Sequence, residues 1–476
     1  MFEQLFIGGA WQAPAGPETV TVLSPATGRP VGRFPVATPA EVSTAVASAK
    51  RAFATWSSTP PADRIALVRR AMAELADASV DLSRLLADEL GTPLTEARER
   101  QVARALEVGE LLCDSAERIH WSHVDCDVET THEALGVVAA VTSWSRPLEQ
   151  MVIKIVSPLL AGCTVVLKPS ELASLSAFPV VEAFRKAGVP AGVVNLVVGR
   201  GAVGESLVSH PEVHVVTFTG TTEVGRHVAQ LAARGMKRVI LGLGGKSPSL
   251  LLADGDVDEA VRATLESCFA NSGQACGSLS RLLVPRARKD DVEAAILRHM
   301  AKCRLGLPDD PEVTVGPLVA ASQRAAVLEL IESGVAEGAR VLAGGADAEV
   351  PASGYFVAPT VLTDVSAAME IARYEVLGPL LCVLAYDSED EAVHIANDSP
   401  YGLAAAVWSA DIEHAREVAR QIRAGQACIN STRLPLDAPF GGSGHSGLGR
   451  ERGVEGILGF TQVKTIGMAS SSRPTA

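Results

Sequence analysis

From residue 136 onward the chain alternates between short β-branched runs and helical stretches. The runs are 136–141, 164–168, 193–198, 213–218 and 238–241, with helical segments near 148–160, 172–187, 202–209 and 222–234 between them. Strand and helix joined by short Gly/Pro-containing connections predict a parallel, doubly wound sheet. The pattern resumes past residue 250. Helices are expected near 257–270, 289–304, 319–337, 388–396 and 411–424, and strands at 281–284, 356–362, 379–385, 403–408 and 426–430. A second α/β region therefore follows the first, as 476 residues are too many for one ordinary core.

The amino-terminal part is helical in pattern. In "VATPAEVSTAVASAKRAFATW", Thr38 and Glu41 form a capping box, Pro39 suits the first turn, and Val42, Ala45, Val46, Ala49, Phe53 and Trp56 recur at helical spacing. Residues 61–118 read as helical, interrupted near Gly91-Thr92-Pro93, and 121–128 as an edge strand or a protruding hairpin. The small, polar tail 471–476 is expected to be disordered.

The net charge of −13, with no segment dominated by Lys and Arg, argues against a nucleic-acid partner. No apolar run reaches the roughly 18–20 residues of a membrane helix, and the start lacks a signal-peptide pattern. The eight cysteines are scattered without CxxC spacing. No metal site is expected, and a cytoplasmic protein with reduced thiols is the plain reading.

Two short stretches carry chemistry. "GLGGKS" at 242–247 contains the Gly-Lys-Ser of a phosphate loop, but the required first glycine would fall on Ile240, and an apolar run follows where a helix should open. A tight turn between two strands is the better reading. In "FANSGQACGSLSR", Cys276 lies among small residues that let a ligand approach. The residues alone leave it between a buried core cysteine and a nucleophile, since no neighbouring His or Lys lowers its pKa locally. Lys246 could act on it only through the fold, and His445 reads as a loop histidine.

Seven stretches in order resemble the NAD(P)-dependent aldehyde dehydrogenase superfamily over nearly the whole chain. They are "FIGGAW", "SWSRPLEQMVIKIVSPLLAGCTVVLKPSE", "HPEVHVVTFTGTTEVG", "LGLGGKSP", "NSGQACGSLSR", "EVLGP" and "PFGGSGHSGLGRERG". The resemblance implies an α/β aldehyde dehydrogenase-like fold: a Rossmann-type cofactor domain, an α/β catalytic domain and a small oligomerisation arm. The corresponding boundaries are 1–117 and 138–244 for the NAD-binding domain and 245–438 for the catalytic domain. Residues 118–137 and 458–470 form the arm, and 439–457 a closing segment of the cofactor domain. A homodimer or homotetramer is implied.

By the same resemblance, Trp144, Lys168, Glu171, Gly204, Gly220, Thr221, Gly225, Leu243 and Glu375 line the cofactor site. Lys168 and Glu171 would hold the adenosine ribose, Gly220 and Thr221 the pyrophosphate at a helix start, and Glu375 the nicotinamide ribose. A carboxylate suits a free 2′-hydroxyl and repels a 2′-phosphate, which favours NAD over NADP. Leu377 stands where the family commonly has phenylalanine. Cys276 matches the nucleophile that takes an aldehyde through a thiohemiacetal to a thioester.

Two positions depart from the family. Gly242 stands where the water-activating glutamate belongs, and Ser145 where the oxyanion-binding asparagine belongs, with Arg146 beside it. A general base is worth ~10²–10⁴ in rate. One oxyanion donor is worth ~10²–10³. Impaired or altered deacylation is therefore expected, with two alternatives: acyl transfer to coenzyme A, and a cofactor-binding pseudoenzyme. The loop 432–437 and the region before Cys276, with Arg433, Leu434, Leu436 and Phe269, suggest a partly apolar substrate entrance.

Overall fold

A computed structural model describes residues 2–468; the tail 471–476 lies outside the described residues, as does the end of the 458–470 segment. The larger sheet runs in the order Gly447–Leu448, Arg238–Gly242, Val215–Thr219, Val137–Val141, Thr164–Lys168, Val194–Leu196, Leu5–Ile7 and Ala10–Gln12. Its five central strands pair in parallel. Four of them, 137–141, 164–168, 194–196 and 215–219, are buried at every residue, as strands covered by helices on both faces must be.

A second sheet, in the order Arg340–Ala343, Thr360–Thr363, Leu380–Tyr386, Arg281–Pro285, Pro248–Leu251, Ala404–Trp408 and Gln426–Ile429, is parallel apart from its first pair. The expected α/β architecture is thus present in two sheets. A third, small antiparallel sheet joins the hairpin Ser122–Asp125/Val128–Ala134 to Thr461–Gly467. Among the described residues no helix is long and apolar enough to cross a membrane.

Local expectations meet their physical reasons here. Helix Pro39–Trp56 carries the capping box: the Glu41 N–H donates to Thr38 Oγ1 at 3.3 Å, and the Thr38 N–H to Glu41 Oε2 at 2.8 Å. The helical region 61–118 breaks at Gly91, whose φ of 75° caps helix Ser79–Leu90. The helix expected over 172–187 starts only at Ala177; the preceding Leu175 and Ser176 N–H groups donate to the buried carboxylate of Glu89. The strand expected over 356–362 is Thr360–Thr363, because Phe356 and Val357 are buried as loop residues. Hairpin Thr19–Leu23/Pro30–Pro35 was not anticipated.

The glycine stretch resolves into a crossing point. Strand Arg238–Gly242 ends in the first sheet and Pro248–Leu251 begins in the second, so 243–247 turns between two sheets and opens no helix.

Candidate active site

In the first sheet the chain leaves strand Val137–Val141 toward Thr164–Lys168 on one side, and later returns to Val215–Thr219 on the other. That reversal leaves a crevice at the carboxyl ends of the strands, the usual place for a ligand in an open α/β sheet. Trp144 follows Val137–Val141, Lys168 ends its strand, Gly220 and Thr221 follow Val215–Thr219, and Gly242 and Leu243 end Arg238–Gly242. Most of the expected cofactor positions thus lie along one edge.

Their contacts are specific. Lys168 is buried and pairs with half-buried Glu171 at 3.6 Å. Burial pulls the Lys168 pKa down, against the pull of Glu171. A side chain at Gly204, in helix Gly201–Ser209, would meet only Lys168 Cδ, at 3.9 Å, so the space above Lys168 is open. Thr221 caps helix Thr222–Ala233 by accepting from the Val224 N–H. A Cβ at Gly225 would lie 2.5 Å from Leu243 Cδ2, so only glycine lets that helix pack on buried Leu243. Glu375 accepts from the Gly245 N–H at 3.2 Å, and burial pushes its carboxyl up to about 7. A Cβ at Gly244 would fall 2.1 Å from Glu375 Oε2. These residues fit a dinucleotide: a carboxylate beside a lysine, a capped helix start, and a second carboxylate under a glycine turn.

Cys276 sits on a clamped loop. Asn271, Ser272 and Gly273 all have left-handed φ values of 52°, 57° and 74°. Two consecutive non-glycine residues in that region store strain that only the surroundings can hold. Asn271 Nδ2 donates to the Ser145 carbonyl at 2.6 Å and to the Gln274 carbonyl at 3.0 Å; its Oδ1 accepts from Thr92 and Gln101. Ser272 Oγ bonds both the N–H and the carbonyl of Gly316, and Gln274 Oε1 accepts from the Val319 N–H. The clamp ties the nucleophile loop to the Ser145 segment. "FANSGQAC" carried the signal for Asn271, but its role needs the fold.

Cys276 and Ser145 line one cavity of about 550 Å³, together with Arg146, Gln150 and Thr219. Burial and then the Glu375 charge push the thiol up to about 12, while Arg146 pulls it down. Ser145 Oγ lies 3.3 Å from Ser143 Oγ. A Cβ at Gly242 would lie 3.1 Å from Thr219 Oγ1 and 3.8 Å from Glu451 Oε1. Cys276 and Ser145 thus face one space, and Gly242 lies behind Thr219, which also lines it.

A buried polar network lies behind Gly242 and was not anticipated. Lys154, fully buried, ion-pairs with Glu451 and donates to Thr217 Oγ1 at 3.0 Å. Gln150 accepts from Thr219 Oγ1 at 2.6 Å and reaches Glu451 Oε2 at 3.5 Å. Lys154 was legible as a lone charge inside the apolar run "MVIKIVSPLLA". The carboxylate nearest the Gly242 gap is thus engaged by a lysine.

Lys246 is buried and points to Cys382 Sγ at 3.9 Å. His445, read as a loop histidine, is exposed and bonds the Arg226 guanidinium at 2.7 Å. Arg146, beside Ser145, lines the cavity with Cys276, where its charge could support an oxyanion, and lies 3.9 Å from Glu149. Phe269 packs inside the second domain's core and does not line the entrance. The wall is partly apolar, as Arg433, Leu434 and Leu436 suggested, with Ile153 and Phe440 added, but it also carries Arg100, Arg104, Glu149 and Arg452.

Comparison with known proteins settles the family. The aldehyde dehydrogenase family profile matches residues 11–466. The chain belongs to the aldehyde dehydrogenase family. It is 39% identical over 471 residues to 3-succinoylsemialdehyde-pyridine dehydrogenase from a Pseudomonas species, covering 98% of each protein. Aldehyde dehydrogenase C from Pseudomonas syringae, solved as a mutant with NAD+ and octanal, superposes with a TM-score of 0.97 at 39% identity, covering 99% of this chain and 98% of that one. Mycobacterium tuberculosis aldehyde dehydrogenase, complexed with NAD+, gives a TM-score of 0.96 at 38% identity, covering 99% of both chains. Membership makes this chain an oxidoreductase with the aldehyde dehydrogenase fold.

Proposed function

We propose that this family member oxidises an aldehyde with NAD through Cys276, and that release of the acyl group is its slow half-reaction. The gap at Gly242 carries the second part: Thr219 and the ion-paired Glu451 are what a side chain there would meet. Cys276 Sγ attacks the aldehyde carbon and forms a thiohemiacetal. The Cys276 N–H and the Ser145 hydroxyl support the oxyanion, with the Arg146 charge in the same cavity. Bound NAD would supply the hydride acceptor there; with the hydride and the hydroxyl proton gone, the last released to solvent, Cys276 carries a thioester. Glu375 and the Lys168–Glu171 pair hold the two riboses, while the Gly220-Thr221 turn and Gly225 receive the pyrophosphate. The Lys168–Glu171 pair leaves its carboxylate suited to a free 2′-hydroxyl, which supports NAD over NADP.

The division into NAD-binding, catalytic and arm segments given above belongs to the same reading. The small antiparallel sheet exposes Val124, Val463 and Ile466, which supports its role as an oligomerisation arm. All eight cysteines are free, in keeping with a cytoplasmic setting.

Rapid mixing with NAD and a panel of aldehydes is expected to give a stoichiometric burst of NADH followed by slow turnover. Coenzyme A that speeds the slow phase would move the reading to acyl transfer. Absence of a burst with every aldehyde would leave a pseudoenzyme and sink the proposal.

Glu375 adds a pH dependence. Its carboxyl, near 7, binds a proton more tightly than in the unfolded chain, so between about 4.5 and 7 its contribution to stability falls as pH rises. Ribose hydroxyls donate to the ionised form, so NAD affinity is expected to rise with pH up to about 7 and then level off. Titration calorimetry from pH 5.5 to 8.5 checks this; Glu375→Gln is expected to bind weakly with a flat profile. An equally sloped profile in that variant would assign the proton elsewhere.

A further inference from the structure

The same cavity gathers more positive charge on its inner wall, one guanidinium of it buried, than its one buried carboxylate can balance. Arg452 is 5% exposed and lines the cavity wall. Its Nε is buried without a hydrogen-bond partner among the described residues. Its guanidinium lies 4.5 Å over the Phe440 ring, and Glu149 and Glu451 act on it only through space. A buried arginine stays charged, so an unpaired one costs free energy unless something anionic completes it.

Two more guanidiniums converge there. Arg104 Nε donates to Glu149 Oε2 at 2.9 Å, and Arg146 Nη1 lies 3.9 Å from the same oxygen. Buried Glu149 therefore serves Arg104, Arg146 and Arg452 at once; burial pushes its carboxyl up, but the summed charges of Arg104, Arg146 and Arg452 hold it below the usual range. The other acids lining the cavity, Glu99, Glu107 and Glu266, are exposed, and Glu266 already pairs with Arg262 at 2.6 Å. The inner wall thus holds three cations to one anion, within the space that Cys276 faces.

We propose that this wall binds a carboxylate at the far end of the aldehyde substrate, making the preferred substrate an oxo-acid, the semialdehyde of a dicarboxylic acid. Arg452 and Arg146 offer the planar N–H pairs that match a carboxylate. The inference rests on the dehydrogenase reading for its chemistry, and on Arg452, Arg146 and Arg104 for its specificity.

The test pairs 4-oxobutanoate and 5-oxopentanoate with their neutral methyl esters in the NADH burst assay. The acids are expected to exceed the esters in kcat/KM by about 10–100-fold, the value of one or two charge-assisted hydrogen bonds. Arg452→Met and, separately, the half-exposed Arg146→Leu are expected to shrink that ratio about tenfold or more, so misfolding of one variant leaves the other. Esters used as well as acids would overturn the proposal while leaving the dehydrogenase intact. Glutarate, which has no aldehyde, is the independent arm. It is expected to raise the Tm of the unmodified enzyme and not of either variant. If no aldehyde gave a burst but glutarate still did this, the anion site would stand and the dehydrogenase reading would fall. No Tm response to glutarate in the unmodified enzyme would overturn the site.

Discussion

Cys276→Ala abolishes the NADH burst with every aldehyde, a loss of roughly 10⁴-fold or more on the scale of nucleophile deletions. The expected size follows from what remains. Without sulfur there is no thiohemiacetal, and the hydride must leave a free or hydrated aldehyde that nothing holds covalently. The side chain is small and half-buried, so alanine keeps the loop's shape, and the Asn271, Ser272 and Gln274 clamps do not involve the sulfur. Tm and NAD affinity should therefore change little, and titration calorimetry with NAD separates chemistry from binding. A variant that still produced a stoichiometric burst would place the nucleophile elsewhere.

The second large effect is a gain. Gly242→Glu is expected to raise the steady-state rate after the burst by about 10²-fold or more, the value of a general base. Gly242 ends a strand and has no left-handed backbone angle, so a side chain needs no strain there. Its Cβ would crowd only Thr219 Oγ1 at 3.1 Å, the end of a short side chain. A carboxylate on that stem starts beside Thr219, which lines the cavity with Cys276, and it also approaches Glu451 Oε1, 3.8 Å from the Cβ position. Two carboxylates at that range favour protonation of one of them, which suits a base working near neutral pH. Ser145→Asn added to this variant lengthens the oxyanion donor, and the pair need not be additive, because residues acting on one intermediate work as a unit. Pre-steady-state NADH traces report the burst and the slow phase in one experiment. A slow phase unmoved by Gly242→Glu would mean that a step other than hydrolysis limits turnover.

The two departures from the family also bear on each other. Loss of the glutamate leaves Thr219, Gln150, Lys154 and Glu451 as a closed polar network, with each buried group partnered inside it. Where the asparagine belongs, Ser145 lies near Ser143, and Arg146 beside it lines the cavity. The two departures and the proposed carboxylate-bearing substrate concern the same cavity, the space around the Cys276 sulfur.

Much of this was legible in residue order alone. Alternation of β-branched runs with helical periods specifies parallel strands locally, and the strands at 164–168, 238–242 and 281–285 lie within a residue of their expected bounds. Capping at Thr38 and the break at Gly91 are local chemistry, legible wherever the side chain that satisfies a backbone group is close in sequence. Motif order brought Cys276, Ser145 and Gly242 together as the first guess; Cys276 and Ser145 line one cavity, and Gly242 adjoins it through Thr219. What the sequence left undecided depends on residues far apart in the chain. Arg452 meets Arg104, Arg146 and Glu149 across more than three hundred residues. Lys154 finds Glu451 over 297. Whether a charge is paired, and whether Lys246 or Arg146 faces the sulfur, is set by the packing of two sheets, because electrostatic energy depends on distance and burial and neither is written in the order of residues.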